Sequence, residues 1–387
     1  MKKLLNADIV STGLAIFSMF FGAGNLLYPL QVGIIAGPHN LVGITGFLIT
    51  AMLIPLLGLI AMILFDGDYE EFFQRLGKIP GKALIAACIF IIGPVIAIPR
   101  IVTLSHTMLA PFIPTIAPFV FSLLFLGLTF LLTYKESKIM TVLGYVISPL
   151  LVISLGIIII KGLLSTQLPV PSTMERLPLF FSSLRIGYET LDLLGAIFFS
   201  AIVINLLKKS PSAVEQGKNV HGLAIMGLKA GVIGVALLGV IYLGMSYLGV
   251  FHGHGLAVKS GELFSQLSIA ILGSQWAIIV AIAVLMACLS TAIALSVVTA
   301  EYFQFEIFRN KLSYVPCLLL ALAASMPLSS FGLDKILALT GGPIVYIGYP
   351  VIIALTVCNI AYKLLNFKPV KIPVLATFIL ALISYLW

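Results

Sequence analysis

Charge is the scarcest property of this sequence. Asp, Glu, Lys and Arg make up 9% of its 387 residues, where an ordinary soluble domain carries about 25%. With 60% of the residues hydrophobic, too few polar side chains remain to coat a water-soluble core, so lipid must be the main solvent. Cysteine is scarce as well. The four cysteines, Cys88, Cys288, Cys317 and Cys358, lie inside apolar stretches and show no metal-ligand spacing, which argues against a disulfide framework or a cysteine metal centre. There is no GxxxxGK[ST] phosphate loop, no HExxH and no nucleophile elbow, so neither an ATP-driven pump nor an intramembrane hydrolase is supported, and no enzyme activity or cofactor is expected. RNP-type and zinc-finger patterns are missing too. The net charge of +8, from 22 basic against 14 acidic residues, is therefore not read as a nucleic-acid footprint. No low-complexity segment or short-period repeat occurs.

What the sequence has is long apolar runs. A bilayer-spanning helix needs about 20 such residues, and by that ruler roughly eleven spans are expected. They lie at Ile9–Ala36, Leu41–Phe65, Ala83–Phe112, Pro118–Tyr134, Ile139–Leu163, Arg185–Leu207, Gly222–Val250, Ser265–Ala300, Ser313–Phe331, Ile336–Tyr362 and Ile372–Trp387. The runs are too long and too continuously apolar for barrel strands. The first run continues well past the length of a signal h-region, so no cleavable leader is expected. Basic residues alternate between loops. Lys2 and Lys3; Arg75, Lys78 and Lys82; Lys135 and Lys138; Lys208, Lys209, Lys218 and Lys229; Arg309 and Lys311; and Lys363, Lys368 and Lys371 fall on one side. Lys161, Arg176, Arg185, Lys259 and Lys335 fall on the other. By the positive-inside rule the richer side, with the N-terminus, is cytoplasmic, and a multi-pass protein of the cytoplasmic (inner) membrane is expected. The inner loop Asp66–Lys82 has room for a short surface helix. The outer loop Ser165–Leu184 is proline-bearing, and the whole of 1–387 reads as a single transmembrane domain.

Two spans are not ordinary. Span one carries Gly22, Ala23, Gly24 and Asn25 near its middle. Each glycine costs a helix about 1 kcal/mol against alanine, and a break at mid-depth is tolerated where the freed backbone lines a cavity or a ligand. Close helix packing through small residues is the alternative. Span six carries Glu189 and Asp192, three residues apart on one face. A carboxylate at the bilayer centre costs about 2.5–3.5 kcal/mol even on insertion scales, so it needs a cation, a proton or a basic partner. Arg100, also at membrane depth, is the alternative structural partner. Interrupted spans at corresponding places in two halves point to an inverted-repeat transporter with a midplane site. In span eight, the hydroxyls of Ser290 and Thr291 beside the Ala287 carbonyl are hard oxygen donors, although such hydroxyls often bond back to their own helix.

Four motifs resemble those of the branched-chain amino acid:cation symporters, in the family's order: Phe20–Pro29 in span one, Gly93–Arg100 in span three, Gly187–Asp192 in span six and Ala287–Ala292 in span eight. The resemblance implies an all-α, LeuT-like fold of two inverted five-helix repeats, at about 8–164 and 185–362, with helices one and six broken and an extra helix at about 372–387. It implies sodium-coupled import of leucine, isoleucine and valine. Substrate would meet Phe20, Gly22, Ala23, Gly24 and Asn25 in the first break and Tyr188, Glu189, Thr190 and Asp192 in the second. Sodium would meet the carbonyls of Ser18, Phe21 and Ala287 and the hydroxyls of Ser290 and Thr291. Asn25 also matches a position that binds a second cation in some LeuT-like proteins. Two departures stand out. Family members usually run longer and close with a twelfth helix, and Glu189 stands where an uncharged residue is expected.

Three alternatives stay open at this stage. They are proton coupling, another small neutral substrate such as methionine, and a non-transporting sensor on a transporter scaffold. His252 and His254 read as an ordinary loop rather than a metal site, and His106 as a packed histidine. Asp66, Asp68, Glu70 and Glu71 read as a solvated loop. Lipid is the expected surroundings, and no protein partner is expected.

Overall fold

The computed structural model describes residues 2–22, 24–134, 139–172, 174–209, 220–256 and 261–386. Ala23, Lys135, Lys138, Lys218, Lys259 and Trp387, which the sequence reading uses, lie outside them. Every regular element among the described residues is helical, as a lipid-solvated backbone requires, because a helix satisfies its peptide groups within one segment.

The chain runs through α1 (Lys2–Phe20) and α2 (Gly24–Ala36), turns at Gly37–His39, and returns through α3 (Asn40–Leu48) and α4 (Ile54–Leu64), joined by a wide turn at Ile49–Leu53. The stretch Gly24–Leu64 has 41 residues. As a straight helix it would measure about 60 Å, twice a bilayer core, but the turn at Gly37–His39, where Gly37 has a φ of +49°, divides it. A short α5 (Tyr69–Gln74) follows, then α6 (Lys78–Phe90), a wide turn at Ile91–Val95 and α7 (Ala97–Leu109). Next come α8 (Pro118–Thr133), α9 (Ile139–Leu164), α10 (Arg176–Tyr188), α11 (Asp192–Lys209) and α12 (Val220–His252). The last elements are α13 (Leu263–Leu272), α14 (Ser274–Tyr302), α15 (Tyr314–Ser329), α16 (Leu333–Thr340), α17 (Tyr349–Leu365) and α18 (Lys371–Leu386). Among the described residues, six helical stretches are long and apolar enough to cross a bilayer by length and composition: Gly24–Leu64, Lys78–Leu109, Arg176–Lys208, Gly222–His252, Ser274–Ile307 and Leu333–Leu365. Shorter apolar helices accompany them, and the chain is an integral membrane protein.

The structure redraws three sequence boundaries. The eighth run, expected as one helix from Ser265, is divided at Gly273, whose φ of +80° suits glycine. The loop expected through Leu184 already holds α10 from Arg176. The tenth run is interrupted at Gly341–Pro343, between α16 and a wide turn at Ile344–Gly348. Apolarity does not distinguish a helix from a helix with a kink, which is why periodicity alone missed these points.

α12 packs along both α1 and α2, α10 along α3, and α11 along α4, while α14 lies against α7 and α9. The expected short helix in the inner loop is α5, capped by the Asp68 carboxylate, which accepts from the Glu71 amide at 2.8 Å. The loop carrying α5 gathers basic residues from distant helices. Lys208 pairs with Asp66 at 2.7 Å, Lys363 with Glu71 at 3.1 Å, and Lys82 with Glu306 at 2.9 Å and Glu70 at 3.6 Å. Arg75 lies over the Tyr362 ring and donates to the Lys368 carbonyl. Five basic residues that the loop alternation assigns to one side thus gather at the α5 end of the bundle. Such exposed pairs contribute about 0–1 kcal/mol each, so they mark that end more than they hold it.

Candidate functional site at two helix breaks

Two interruptions meet in the interior of the bundle. At the first, α1 ends at Phe20 and α2 starts at Gly24. The Phe21 amide still donates to Phe17, and the Asn25 amide reaches back to the Gly22 carbonyl at 3.2 Å. At the second, α10 ends at Tyr188 and α11 begins at Asp192. Between them Leu191 adopts a φ of +63°. The left-handed conformation costs a non-glycine residue about 1–2 kcal/mol, so this break is held under strain.

Asn25 ties the breaks together. Its side chain is fully buried, and Nδ2 donates to the Phe20 carbonyl at 3.0 Å and to Asp192 Oδ2 at 2.9 Å. One amide therefore bridges the carbonyl end of α1 and the first turn of α11. The Tyr242 hydroxyl, from α12, contacts the same Nδ2 and donates to Asp192 Oδ2 at 3.4 Å. Asn25 Oδ1 is buried with no hydrogen-bond partner, and the position of a Cβ on Gly22 would lie 3.9 Å from it. It is an unused acceptor beside the first break.

Arg100, on α7, does what the sequence reading did not anticipate. Considered as a partner for the carboxylates, it instead donates to main-chain carbonyls of the second break: Nη1 to Glu189 O at 2.7 Å and Nη2 to Thr190 O at 3.0 Å. It is 4% exposed. Helix α10 ends in carbonyls that its own chain leaves unpaired, and a buried guanidinium with its fork of donors satisfies two at once. The Tyr28 hydroxyl lies 3.5 Å from Nη1. The Glu189 carboxylate also faces Gly341, where a Cβ would sit 3.3 Å from Oε1. The interruption of the tenth run thus borders the second break.

The amide end of α11 is held as well. The Leu193 amide donates to the Tyr349 hydroxyl at 2.9 Å, and the Asp192 amide to Thr190 Oγ1 at 3.4 Å. The Tyr188 ring packs on Tyr349 at 5.2 Å. Of the residues expected to meet substrate, Phe20, Gly22 and Asn25 and then Tyr188, Glu189, Thr190 and Asp192 are joined by this network. A Cβ on Gly24 would lie 3.4 Å from the Arg100 guanidinium carbon. Ala23 is outside the described residues.

The residues expected to meet sodium are less connected. Thr291 Oγ1 donates back to Ala287 O at 3.1 Å. α1 packs mainly on α12 and α11, whereas α14 packs mainly on α7 and α9. Among the described residues no hydrogen bond joins Ser18 or Phe21 to Ala287, Ser290 or Thr291. Elsewhere, His106, His252 and His254 each meet a backbone carbonyl, at 3.0, 2.8 and 2.7 Å.

Sequence reasoning missed Tyr242, Tyr349 and the bordering Gly341. Their signal was faint but present. A phenol deep in an apolar helix buries a hydroxyl that needs a partner, and Gly341-Gly342-Pro343 is a break signal inside an apolar run.

Comparison with known proteins adds family context. The family model described as "Branched-chain amino acid transport protein" matches residues 5–386. The chain is 31% identical over 367 residues to the branched-chain amino acid permease BraB of Bacillus subtilis (strain 168), covering 92% of this chain and 80% of that one. It is 29% identical over 372 residues to the branched-chain amino acid permease BrnQ of Escherichia coli (strain K12), covering 92% and 81%. It is 28% identical over 374 residues to the branched-chain amino acid transport system 3 carrier protein of Pseudomonas aeruginosa, covering 92% and 82%.

Proposed function

The chain belongs to the family of branched-chain amino acid transport proteins, and from that premise we propose that it is a secondary active symporter that imports leucine, isoleucine and valine with sodium. The observation that carries this reading is the Asn25–Asp192 hydrogen bond, which joins two helix breaks in a buried, polar junction. Each break sets a carbonyl end, at Phe20 and Tyr188, close to an amide end, at Gly24 and Asp192. A zwitterion matches that pattern, its ammonium facing carbonyls and its carboxylate facing helix N-termini. Phe20, Gly22, Ala23, Gly24, Asn25, Tyr188, Glu189, Thr190 and Asp192 are its proposed contacts. An apolar pocket between spans one, three, six and eight takes the aliphatic side chain.

Sodium is assigned to the carbonyls of Ser18, Phe21 and Ala287 and the hydroxyls of Ser290 and Thr291. The Thr291 hydroxyl donates its proton to the Ala287 carbonyl at 3.1 Å, which leaves lone pairs on both oxygens for the cation. The buried Asn25 Oδ1 is a further oxygen donor for a cation or an ammonium. The architecture proposed is LeuT-like, with eleven crossings, inverted repeats at about 8–164 and 185–362, an extra helix at about 372–387, and a cytoplasmic N-terminus in the inner membrane. In the transport cycle, filling of the two breaks closes one side of the junction before the other opens.

A second coupling ion has its own supporting observation. The Asp192 carboxylate is buried and its hydrogen-bond donors Asn25 and Tyr242 are neutral, so a proton is a chemically complete partner for it. Uptake of labelled leucine into proteoliposomes separates the readings. Accumulation driven by an inward sodium gradient at fixed pH supports sodium symport. Accumulation driven only by a proton gradient moves the coupling to Asp192. No accumulation under either gradient, from folded protein, contradicts the symporter.

A further inference from the structure

A second polar feature borders the second break, on the exposed side of the bundle. A cavity of about 330 Å³ opens between α10, the turn leading into α17, and α18, lined by Arg185, Tyr346, Pro350, Leu380 and Ser384 among others. Arg185 lies 4.9 Å from the Tyr346 ring centre, with Nη1 3.5 Å from its hydroxyl. The Tyr346 ring in turn packs on Tyr385 at 5.7 Å. The ion pairs among the described residues all lie at the α5 face, and none includes Arg185.

The cavity combines polar and apolar lining. Lys208 and Lys363, near the ends of α11 and α17, reach the α5 loop, and α18 starts just after Lys368, whose carbonyl is bound by Arg75. α18 therefore runs away from the α5 face, as α10 does when followed backwards from the second break. Ser384 lies about 10 Å nearer the opposite face than Thr377, at 1.5 Å per residue. Arg185 is in the half of α10 next to the break, and a helical side chain leans toward its own N-terminus, so the guanidinium leans toward that same opposite face. The apolar lining includes Val345, Pro350, Leu380 and Ala381, and Leu380 is 68% exposed.

An arginine at membrane depth remains charged and either snorkels to the interface or meets an anion. The cavity lining includes one cation and no acid, which suits an anion and leaves the ammonium of a zwitterionic amino acid without a counter-charge. We propose that this cleft binds one anionic phospholipid from the leaflet next to the N-terminus of α10. Its phosphate sits on Arg185 and the Tyr346 hydroxyl, and one acyl chain lies over Leu380 and Pro350. The site adjoins the transport machinery. Tyr188 also lines the cleft and packs on Tyr349, which holds the Leu193 amide in the first turn of α11. The inference needs only the membrane placement of the chain and stands or falls separately from the substrate reading.

The test is native mass spectrometry of the purified full chain, titrated with phosphatidylglycerol or with phosphatidylcholine of the same acyl chains. The first phosphatidylglycerol is expected to bind at least tenfold tighter than phosphatidylcholine. Arg185→Gln should erase that preference, Arg185→Lys should keep part of it, and Tyr346→Phe should weaken it a few-fold. Leu380→Trp, which fills the chain bed and leaves the charge in place, should lower the affinity for both lipids and decides the matter if Arg185→Gln does not fold. Equal binding of the two lipids by wild type, an unchanged preference in folded Arg185→Gln, or unchanged affinities in Leu380→Trp would overturn the proposal. Displacement of phosphatidylglycerol by excess leucine would assign the cleft to the solute and overturn it as well.

Discussion

Between Phe20 and Gly24 the chain leaves its helix at Gly22, where no neighbour crowds the backbone and a Cβ would make only ordinary contact. Between Tyr188 and Asp192 it leaves through Glu189, Thr190 and Leu191, with no glycine and with Leu191 in a left-handed conformation. The first interruption is made from within its own segment, by residues that favour a helix poorly. The second is imposed from outside. Arg100 takes the carbonyls of Glu189 and Thr190, and Tyr349 takes the Leu193 amide. A break can thus be written locally or held by a distant side chain, and only the first kind leaves a plain compositional mark.

The largest effect should come from removing the external clamp. Arg100→Met orphans two buried carbonyls, at about 1–3 kcal/mol each. Leucine uptake is expected to fall to background, with a markedly lower melting temperature in detergent. Uptake and melting both close to wild type would show that the second break holds itself open. Next comes Asp192→Asn, which keeps the shape of the junction and removes its charge. Uptake should drop at least tenfold while the protein stays folded and monodisperse, and wild-type kinetics would remove Asp192 from the mechanism. Ser290→Ala with Thr291→Ala should raise the sodium concentration for half-maximal uptake several-fold, and an unchanged sodium dependence would dismiss the proposed sodium site.

The smallest effect sharpens the contrast most. At position 191, the left-handed backbone should make Leu191→Gly more stable than Leu191→Ala by about 1 kcal/mol, reversing the usual helical order. Gly22→Ala in the first break should stay within about 1 kcal/mol of wild type, since its Cβ has room. Thermal melts of the three variants measure both differences. Alanine outperforming glycine at 191 would mean that the second break relaxes when Leu191 is replaced.

Much of this was legible in the residues themselves. Lipid solvation followed from composition, and the family from four ordered motifs. Gly22, Gly24 and Asn25 marked the first break because glycine and a polar amide are conspicuous in an apolar run. Asp192 stood out for the same reason, and the inner loop Asp66–Lys82 read correctly as the place for a short helix. The linkages were not legible. That Asn25 reaches Asp192, across 167 positions, depends on how α2, α11 and α12 pack. That Arg100 reaches the carbonyls of Glu189 and Thr190 depends on where α10 ends. Tyr242 and Tyr349 look like any buried aromatic until their hydroxyls are placed. The interruption at Gly273 was hidden because its flanking helices are equally apolar.

The most direct test of the account is sodium-dependent binding of labelled leucine to purified wild type and to Asn25→Ala and Asp192→Asn, each shown to be folded. The bridged junction predicts saturable binding in wild type and a loss of at least tenfold in affinity in both variants. Wild-type affinity in both would place the substrate elsewhere and contradict the central claim.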